Sequence, residues 1–224
     1  MPGRILPLVT DEIYHVFNRG IDHRPTFTDK KEFQRAMMVL SFYRFSTPPV
    51  KLSKFFLLSN ERREKILSDL NNENKKLVEI LAFCLMPNHF HLFLKQVENN
   101  GISKYLSNLQ NSYTRYFNTK NERIGPLFLD QFKAVRIQTD EQLLHVSRYI
   151  HLNPLTSYVV KNFEKLEDYP WSSLKEYLGT NSIKFCSVEP VLNFFKKTES
   201  YKKFLQDQVA YQQELHKIKH LILE

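Results

Sequence analysis

Cysteine is scarce in this chain: Cys84 and Cys186 are its only two, far apart and in no metal-ligand spacing. That excludes a disulfide framework and points to a reducing interior. Cys84 lies inside the apolar run "ILAFCLM" and reads as a small buried hydrophobe. Long hydrophobic runs are missing as well. The longest uncharged stretch, Ile80 to Leu94, is interrupted by Pro87, Asn88 and two histidines, so no membrane span is expected. The opening "MPGRILPLVTDE" is too short and too acidic for a signal peptide, and the expectation is a soluble, cytoplasmic protein. No repeat or low-complexity segment stands out. Acidic residues are the minority charge, 24 Asp+Glu against 32 Lys+Arg, for a net charge of +8. Such a surplus favours a polyanionic partner, nucleic acid above all, although an ordinary basic enzyme shows the same balance.

What is present is an alternation of strand and helix signals. "IYHVFNRG" (13 to 20) reads as a strand ending in a glycine turn. Asp29 is placed to cap a helix with apolar residues at Phe33, Met37, Leu40 and Tyr43, broken by "STPPV". Residues 46–78 read as a polar, charge-mixed insert. Ile80 to Met86 and His89 to Lys95 form two strands joined at Pro87-Asn88. An amphipathic helix follows, with Ile102, Leu106, Leu109, Tyr113 and Tyr116 on its apolar stripe. A short strand, Phe132 to Ile137, precedes a helix capped at Thr139 or Asp140 and stopped by Pro154. Residues 180–224 are a Lys-rich tail with Phe204, Tyr211, Leu215, Ile218 and Ile222 on one helical stripe. The sum is an α+β domain with a largely antiparallel sheet and helices on one face.

His89 and His91, in "MPNHFHLFLK", are the first candidates for chemistry. Strand residues i and i+2 share a face about 6.6 Å apart, close enough for two imidazoles to converge on one divalent cation. His-x-His alone is a weak signal, and a pair of half-exposed strand histidines explains it more simply. A third ligand is needed. The helix "LLHVSRYIHLN" offers one: Tyr149 and Asn153 are i, i+4 neighbours at the flank of the stripe of Leu143, Val146 and Ile150. His145 shares that face but reads more simply as solvated, and His151 points away. An amide oxygen completes a mixed N/O shell that suits Mg²⁺ or Mn²⁺ better than zinc. His216 and His220, also i, i+4, have no third ligand in sight and read as an exposed basic face.

Taken in order, "YHVFNRG", "CLMPNHFHLFLK", "YTRYFN", "RYIHLNPL" and "YPWSSLKEYLG" resemble the REP-associated tyrosine transposases. These are single-tyrosine members of the HUH (His-hydrophobic-His) transposases of the insertion-sequence-200-like superfamily. The resemblance spans residues 13–179, leaving 180–224 as a helical extension. It implies a ferredoxin-like or RRM-like domain with the histidines on a central strand and a nucleophilic tyrosine on a later helix. Carried over by residue, His89 and His91 become metal ligands, Tyr149 the nucleophile, and Asn153 the metal-binding amide. One departure lies after the Tyr113/Tyr116 helix. Where such proteins read Gly-x-Leu-Trp-Gln-x-Arg-Phe-Lys, this chain reads Gly125 through Lys133 as "GPLFLDQFK", without the Trp, Gln and Arg. DNA contacts by that loop are therefore in doubt.

A phenol is a poor nucleophile at neutral pH until a cation or a base helps it. The family pattern supplies the cation, and attack by Tyr149 would leave a 5′-phosphotyrosine and a free 3′-OH on single-stranded DNA beside hairpin-forming palindromic repeats. Arg19, Lys95, Arg115, Lys133 and Arg136 are candidates for phosphate contacts, each also readable as a plain solvated charge. The resemblance leaves monomer and homodimer open. A non-catalytic nucleic-acid-binding module on an RRM-like sheet is the alternative. It predicts tight binding that ignores divalent metal. A zinc hydrolase, which never traps DNA on Tyr149, is a weaker rival.

Overall fold

A computed structural model describes residues 7–180 and 185–209. The core unit runs β1 (Ile13–Arg19), α1 (Lys30–Tyr43), α2 (Leu52–Phe55), α3 (Asn60–Glu73), β2 (Val78–Met86), β3 (His89–Gln96), α4 (Gly101–Lys120) and β4 (Lys133–Arg136). It is followed by α5 (Asp140–Thr156), α6 (Phe163–Glu167), α7 (Leu174–Tyr177), α8 (Glu189–Leu192) and α9 (Thr198–Gln206). The strands form one antiparallel sheet in the order β2-β3-β1-β4. With α1 between β1 and β2, and α4 between β3 and β4, this is the ferredoxin-like βαββαβ arrangement. The expected strands and the Pro87-Asn88 turn agree with it to within a residue or two. Among the described residues no helix is long and apolar enough to cross a membrane.

Period-two alternation sorts the central strands onto two faces. Tyr14, Val16 and Asn18 of β1 and Phe90, Leu92 and Leu94 of β3 are buried on the α1/α4 side. There they meet Val39, Leu40, Phe42, Tyr105 and Tyr113 in the larger core. Asp29 caps α1 by accepting from the Glu32 amide at 2.9 Å. The helices on this face are those the sequence predicts.

The opposite face is covered too, which the expectation of helices on one face did not include. There α5 packs on β2 and β3, and Cys84, Met86 and Phe93 join Ile150, Leu155, Tyr177, Tyr201 and Leu205 in a second core. The "YPWSS" segment explains why β2 is buried although it is an edge strand. Leu85 N–H donates to Trp171 O at 2.8 Å and Ser173 N–H to Phe83 O at 3.0 Å, sealing that edge. Residues 185–209 pack on this second core through Val191, Tyr201 and Leu205. Of the tail stripe, Phe204 rests on Tyr201 and Phe195, while Tyr211, Leu215, Ile218, Ile222, His216 and His220 lie outside the described residues.

Residues 60–73 of the polar insert form a 14-residue helix capped by Ser59. One further sequence expectation needs correction: α5 does not stop at Pro154 but continues to Thr156. A proline removes one i→i−4 bond, and this close to the C-terminus that loss is tolerated. The Pro154 carbonyl still accepts from the Val159 and Val160 amides at 2.9 and 3.0 Å, and Asn153, Pro154 and Leu155 are all buried.

Candidate active site at the histidine strand

The face of β3 that carries His89, His91 and Phe93 is also the face on which α5 lies. Register places Phe17 opposite His91 and His15 opposite Phe93 on β1. His89 follows the turn directly, and its Nδ1 is 2.7 Å from Asn88 Oδ1. That hydrogen bond requires the proton on Nδ1 and so puts the lone pair on Nε2. The His89 and His91 rings sit 5.0 Å apart, edge to face.

Helix α5 brings the other two predicted residues to the same place. The Tyr149 ring stands edge-on to His91 with centroids 5.2 Å apart. One helical turn later, Asn153 Nδ2 lies 3.4 Å from His91 Nε2. Asn153 is only 3% exposed, more deeply set than its expected place at the flank of the stripe. The cause is that α5 rests directly on β3, so the residue one turn below Tyr149 meets the strand. Tyr149, His89, His91 and Asn153 thus converge within one chain.

Other tyrosines differ in setting. Tyr105, Tyr113, Tyr169, Tyr177 and Tyr201 are buried, and burial pushes each phenol up from its ordinary range. Tyr113 donates to Thr26 O as a core residue, as its stripe position predicts. Tyr149 is half-buried and faces the histidines.

His15 belongs to this cluster and was missed. Its Nε2 is 3.0 Å from His91 Nδ1, and its ring is 5.8 Å from that of Tyr149. The signal was available: in "IYHVFNR" His15 shares a strand face with Phe17 and Arg19, and pairing of this strand with β3 brings that face to His91. What the sequence alone lacked was the pairing. His15 is positioned to fix the orientation of the His91 ring.

The five basic candidates separate by face. Arg19 pairs in register with His89 and is exposed, with Nη1 2.6 Å from His23 Nε2. Lys133 pairs with Phe17, and so stands on the histidine face at the β4 edge. Lys95 is on that face at the far end of β3, in an ion pair with Asp11 at 3.5 Å. Arg136 pairs with Tyr14, points to the other face and is held by Glu12 at 2.5 Å. Arg115 lies on α4, across the sheet from the histidines. Arg115 and Arg136 therefore do not join this site.

His145 is exposed and contacts Arg148 Nη2 at 2.7 Å, so it stays outside the cluster despite its helical phase. His151 is fully buried between Tyr201 Oη and Ser173 Oγ, each at 2.7 Å, and burial lowers its pKa to about 3. It is a neutral core residue. In the "GPLFLDQFK" loop, Leu127 and Phe128 are buried in the larger core, and Leu129 N–H donates to Arg19 O at 3.0 Å. The loop thereby extends the pairing of β1 just past the histidine site.

Among the described residues no group of three His, Cys, Asp or Glu side chains is arranged to hold a metal. The donor set at the site is instead two imidazoles and a buried amide. The amide is placed at His91 Nε2 with too long a contact for a good hydrogen bond. A rotated amide would present its oxygen to the same point, so the residues fit a hard or borderline divalent cation.

Comparison with known proteins points the same way as the motifs. Residues 54–153 match the family described as "Transposase IS200 like", a span that contains both strand histidines and ends at Asn153. A Haemophilus influenzae protein named as a REP-associated tyrosine transposase is 25% identical over 153 residues, 60% of this chain and 85% of that protein. Among solved structures, a REP-associated tyrosine transposase bound to a REP hairpin shares the fold. The TM-score is 0.54 at 12% identity, covering 84% of this chain and 98% of that one. Over residues 54–153 the chain is similar to the IS200-like transposases, and the proteins it resembles include REP-associated tyrosine transposases.

Proposed function

We propose that this protein is a divalent-metal-dependent endonuclease and strand transferase for single-stranded DNA, cutting beside hairpin-forming repeats through a covalent 5′-phosphotyrosine on Tyr149. The observation that carries the reading is the convergence of Tyr149, His89, His91 and Asn153 at one point of one chain. A hairpin-bound solved relative of the same fold supports the choice of DNA.

His89, His91 and Asn153 would hold the cation, with Mg²⁺ or Mn²⁺ suited to their nitrogen and oxygen donors. When bound, it polarises the oxygens of the scissile phosphate and offsets the charge that develops there. Tyr149 Oη forms a bond to phosphorus as the bond from phosphorus to O3′ breaks. The phenol proton leaves to solvent and the departing O3′ takes one up. One phosphoester replaces another, so a second 3′-OH can reverse the step and join strands without ATP. His15 holds the His91 ring in place, while Arg19 and Lys133 receive phosphates at the two sides of the site. All four reacting and ligating side chains come from one protomer, so this reading needs no exchange of the tyrosine helix between copies.

The test is covalent trapping. Labelled single-stranded hairpin oligonucleotides from the gene's own flanks are incubated with the protein and Mg²⁺ or Mn²⁺, beside Tyr149→Phe and His91→Ala. A metal-dependent labelled band in the wild type, absent from both variants, is expected. An adduct that persists in Tyr149→Phe overturns the assignment of the nucleophile. Tight binding with no band leaves a non-catalytic repeat-binding module as the better description.

A further inference from the structure

On the opposite side of the sheet from the histidines, α1, α2 and α4 enclose a cleft of about 750 Å³. Its charge is of one sign. Arg35, Lys51, Arg115 and Lys120 line it, and none of its lining residues is acidic. Lys120 is already engaged by Asp29 and by Glu32 at 2.7 Å, which leaves three cations to face the cleft. Arg35 is built in rather than draped over the surface. Its guanidinium lies 4.4 Å from the Phe56 ring centroid and 5.2 Å from that of Tyr116. Its Nε is buried with no hydrogen-bond partner. A buried guanidinium donor without an acceptor is an unmet demand for an oxygen. Tyr43 completes an aromatic wall with Phe56 and Tyr116, and the rest of the lining is amide and hydroxyl.

Cations without counter-charges beside half-buried rings suit a phosphate joined to a flat base, the combination by which proteins hold unpaired nucleotides. An acidic peptide would use the cations but add nothing to the contact that Arg35 already makes with the rings. We propose that this cleft is a second nucleic-acid site, taking an unpaired nucleotide of the bound DNA with its phosphate on Arg35, Lys51 and Arg115 and its base against Phe56 or Tyr116. The identification of the ligand as DNA rests on the function proposed above. The cleft also gives Arg115 a role that its distance from the histidines denies it. It gives a role as well to the start of the polar insert, whose Lys51, Ser53 and Phe56 form one wall.

Photocrosslinking tests this directly. The full chain is irradiated with 5-iododeoxyuridine-substituted hairpin oligonucleotides and the attached peptides are identified by mass spectrometry. Crosslinks to Tyr43, Phe56 or Tyr116 are expected. Crosslinks confined to peptides outside the cleft, or no binding at all, overturn the proposal. In parallel, Lys51→Gln combined with Arg115→Gln, both at exposed positions, should weaken hairpin binding and flatten the slope of log K against log salt by up to about 0.7, the single-strand value for the one phosphate that the cleft holds. An unchanged slope in a variant with wild-type melting temperature counts against the site. Protection of the cleft by free thymidine 5′-monophosphate at concentrations where the oligonucleotide gives none would assign it to a free nucleotide and overturn the DNA reading. The two proposals fail separately. A Tyr149 adduct without cleft crosslinks sinks only the cleft, and cleft crosslinks without an adduct sink only the nuclease.

Discussion

The two faces of β3 are built from one eight-residue strand and do opposite things. On the α1/α4 side Phe90, Leu92 and Leu94 are at most 1% exposed and meet only apolar side chains and a few satisfied hydroxyls. On the α5 side the alternate positions hold His89, His91 and Phe93, half sealed by α5 and half open toward β1 and β4. Where α5 covers the sheet, Phe93 and Cys84 are packed dry, and burial pushes the Cys84 thiol up, away from nucleophilic reactivity. Where α5 ends its coverage, Tyr149 and the imidazoles meet, and beyond them Val135 on β4 is 55% exposed. Core and site are thus separated by one residue along the chain. The dry face supplies the rigidity, and the half-covered face supplies access.

That contrast can be broken from either side. The largest effect is expected at the open face: Tyr149→Phe should remove the covalent DNA adduct altogether, read on a denaturing gel, with the fold kept by circular dichroism. On the dry face, Leu92→Ala should cost about 2–5 kcal/mol of stability from lost transfer energy and the cavity left behind. A shifted denaturant midpoint at constant m-value measures this, and a change under 1 kcal/mol would mean the strand is not packed as described. The sealed part of the α5 face has a pH signature. His151 is neutral in the fold, with its pKa lowered by burial to about 3 from 6.5. The unfolded chain therefore binds its proton first, and the contribution of His151 is complete above pH 6.5 and lost as pH falls toward 3, at about 1.4 kcal/mol per pH unit. His151→Gln should flatten that part of the stability–pH curve, and an identical curve would show that the imidazole is protonated in the fold.

Smaller effects sharpen the boundary of the site. His15→Ala should lower the trapping rate by about 10- to 100-fold, the usual cost of losing a partner of a ligating histidine. A rate unchanged by this substitution would reduce His15 to a bystander. Lys133→Ala should reduce the salt slope of DNA binding by about one with little loss of trapping at saturating DNA. Arg136→Ala, whose side chain points to the other face and is tied to Glu12, should leave the slope unmoved.

Most of the fold is legible in local signals. Strands, turns and caps depend on neighbours in sequence: Asp29 and Thr139 cap as their types predict, and Pro87-Asn88 turns where it must. His89 and His91 share a face by strand geometry, and Tyr149 and Asn153 share one by helix geometry. The meeting of the two pairs came from the family pattern, because nothing within 10 residues of either encodes it. Long-range facts are the ones that local signals miss. The place of His15 beside His91 depends on β1 pairing with β3 across 76 positions. Arg136 falls on the other face because register, not composition, decides which way a strand residue points. The second helical layer leaves no local signal because β2 is apolar on both faces, and such a run reads alike whether one side is covered or two.

The short distance between core and site has a consequence for how this protein tolerates genetic change. Substitution anywhere along β3 alters one position and leaves its neighbours facing as before. Loss of a single codon between Asn88 and Phe93 would do something different. Each later side chain would turn over, presenting leucines to the tyrosine and carrying polar rings into the interior. The sheet already absorbs one irregularity, between Ile80 and Ala82 on β2, and it lies upstream of the Cys84–His91 and Met86–His89 pairs, where it does no harm. Lineages of this gene should therefore keep the length of this strand invariant.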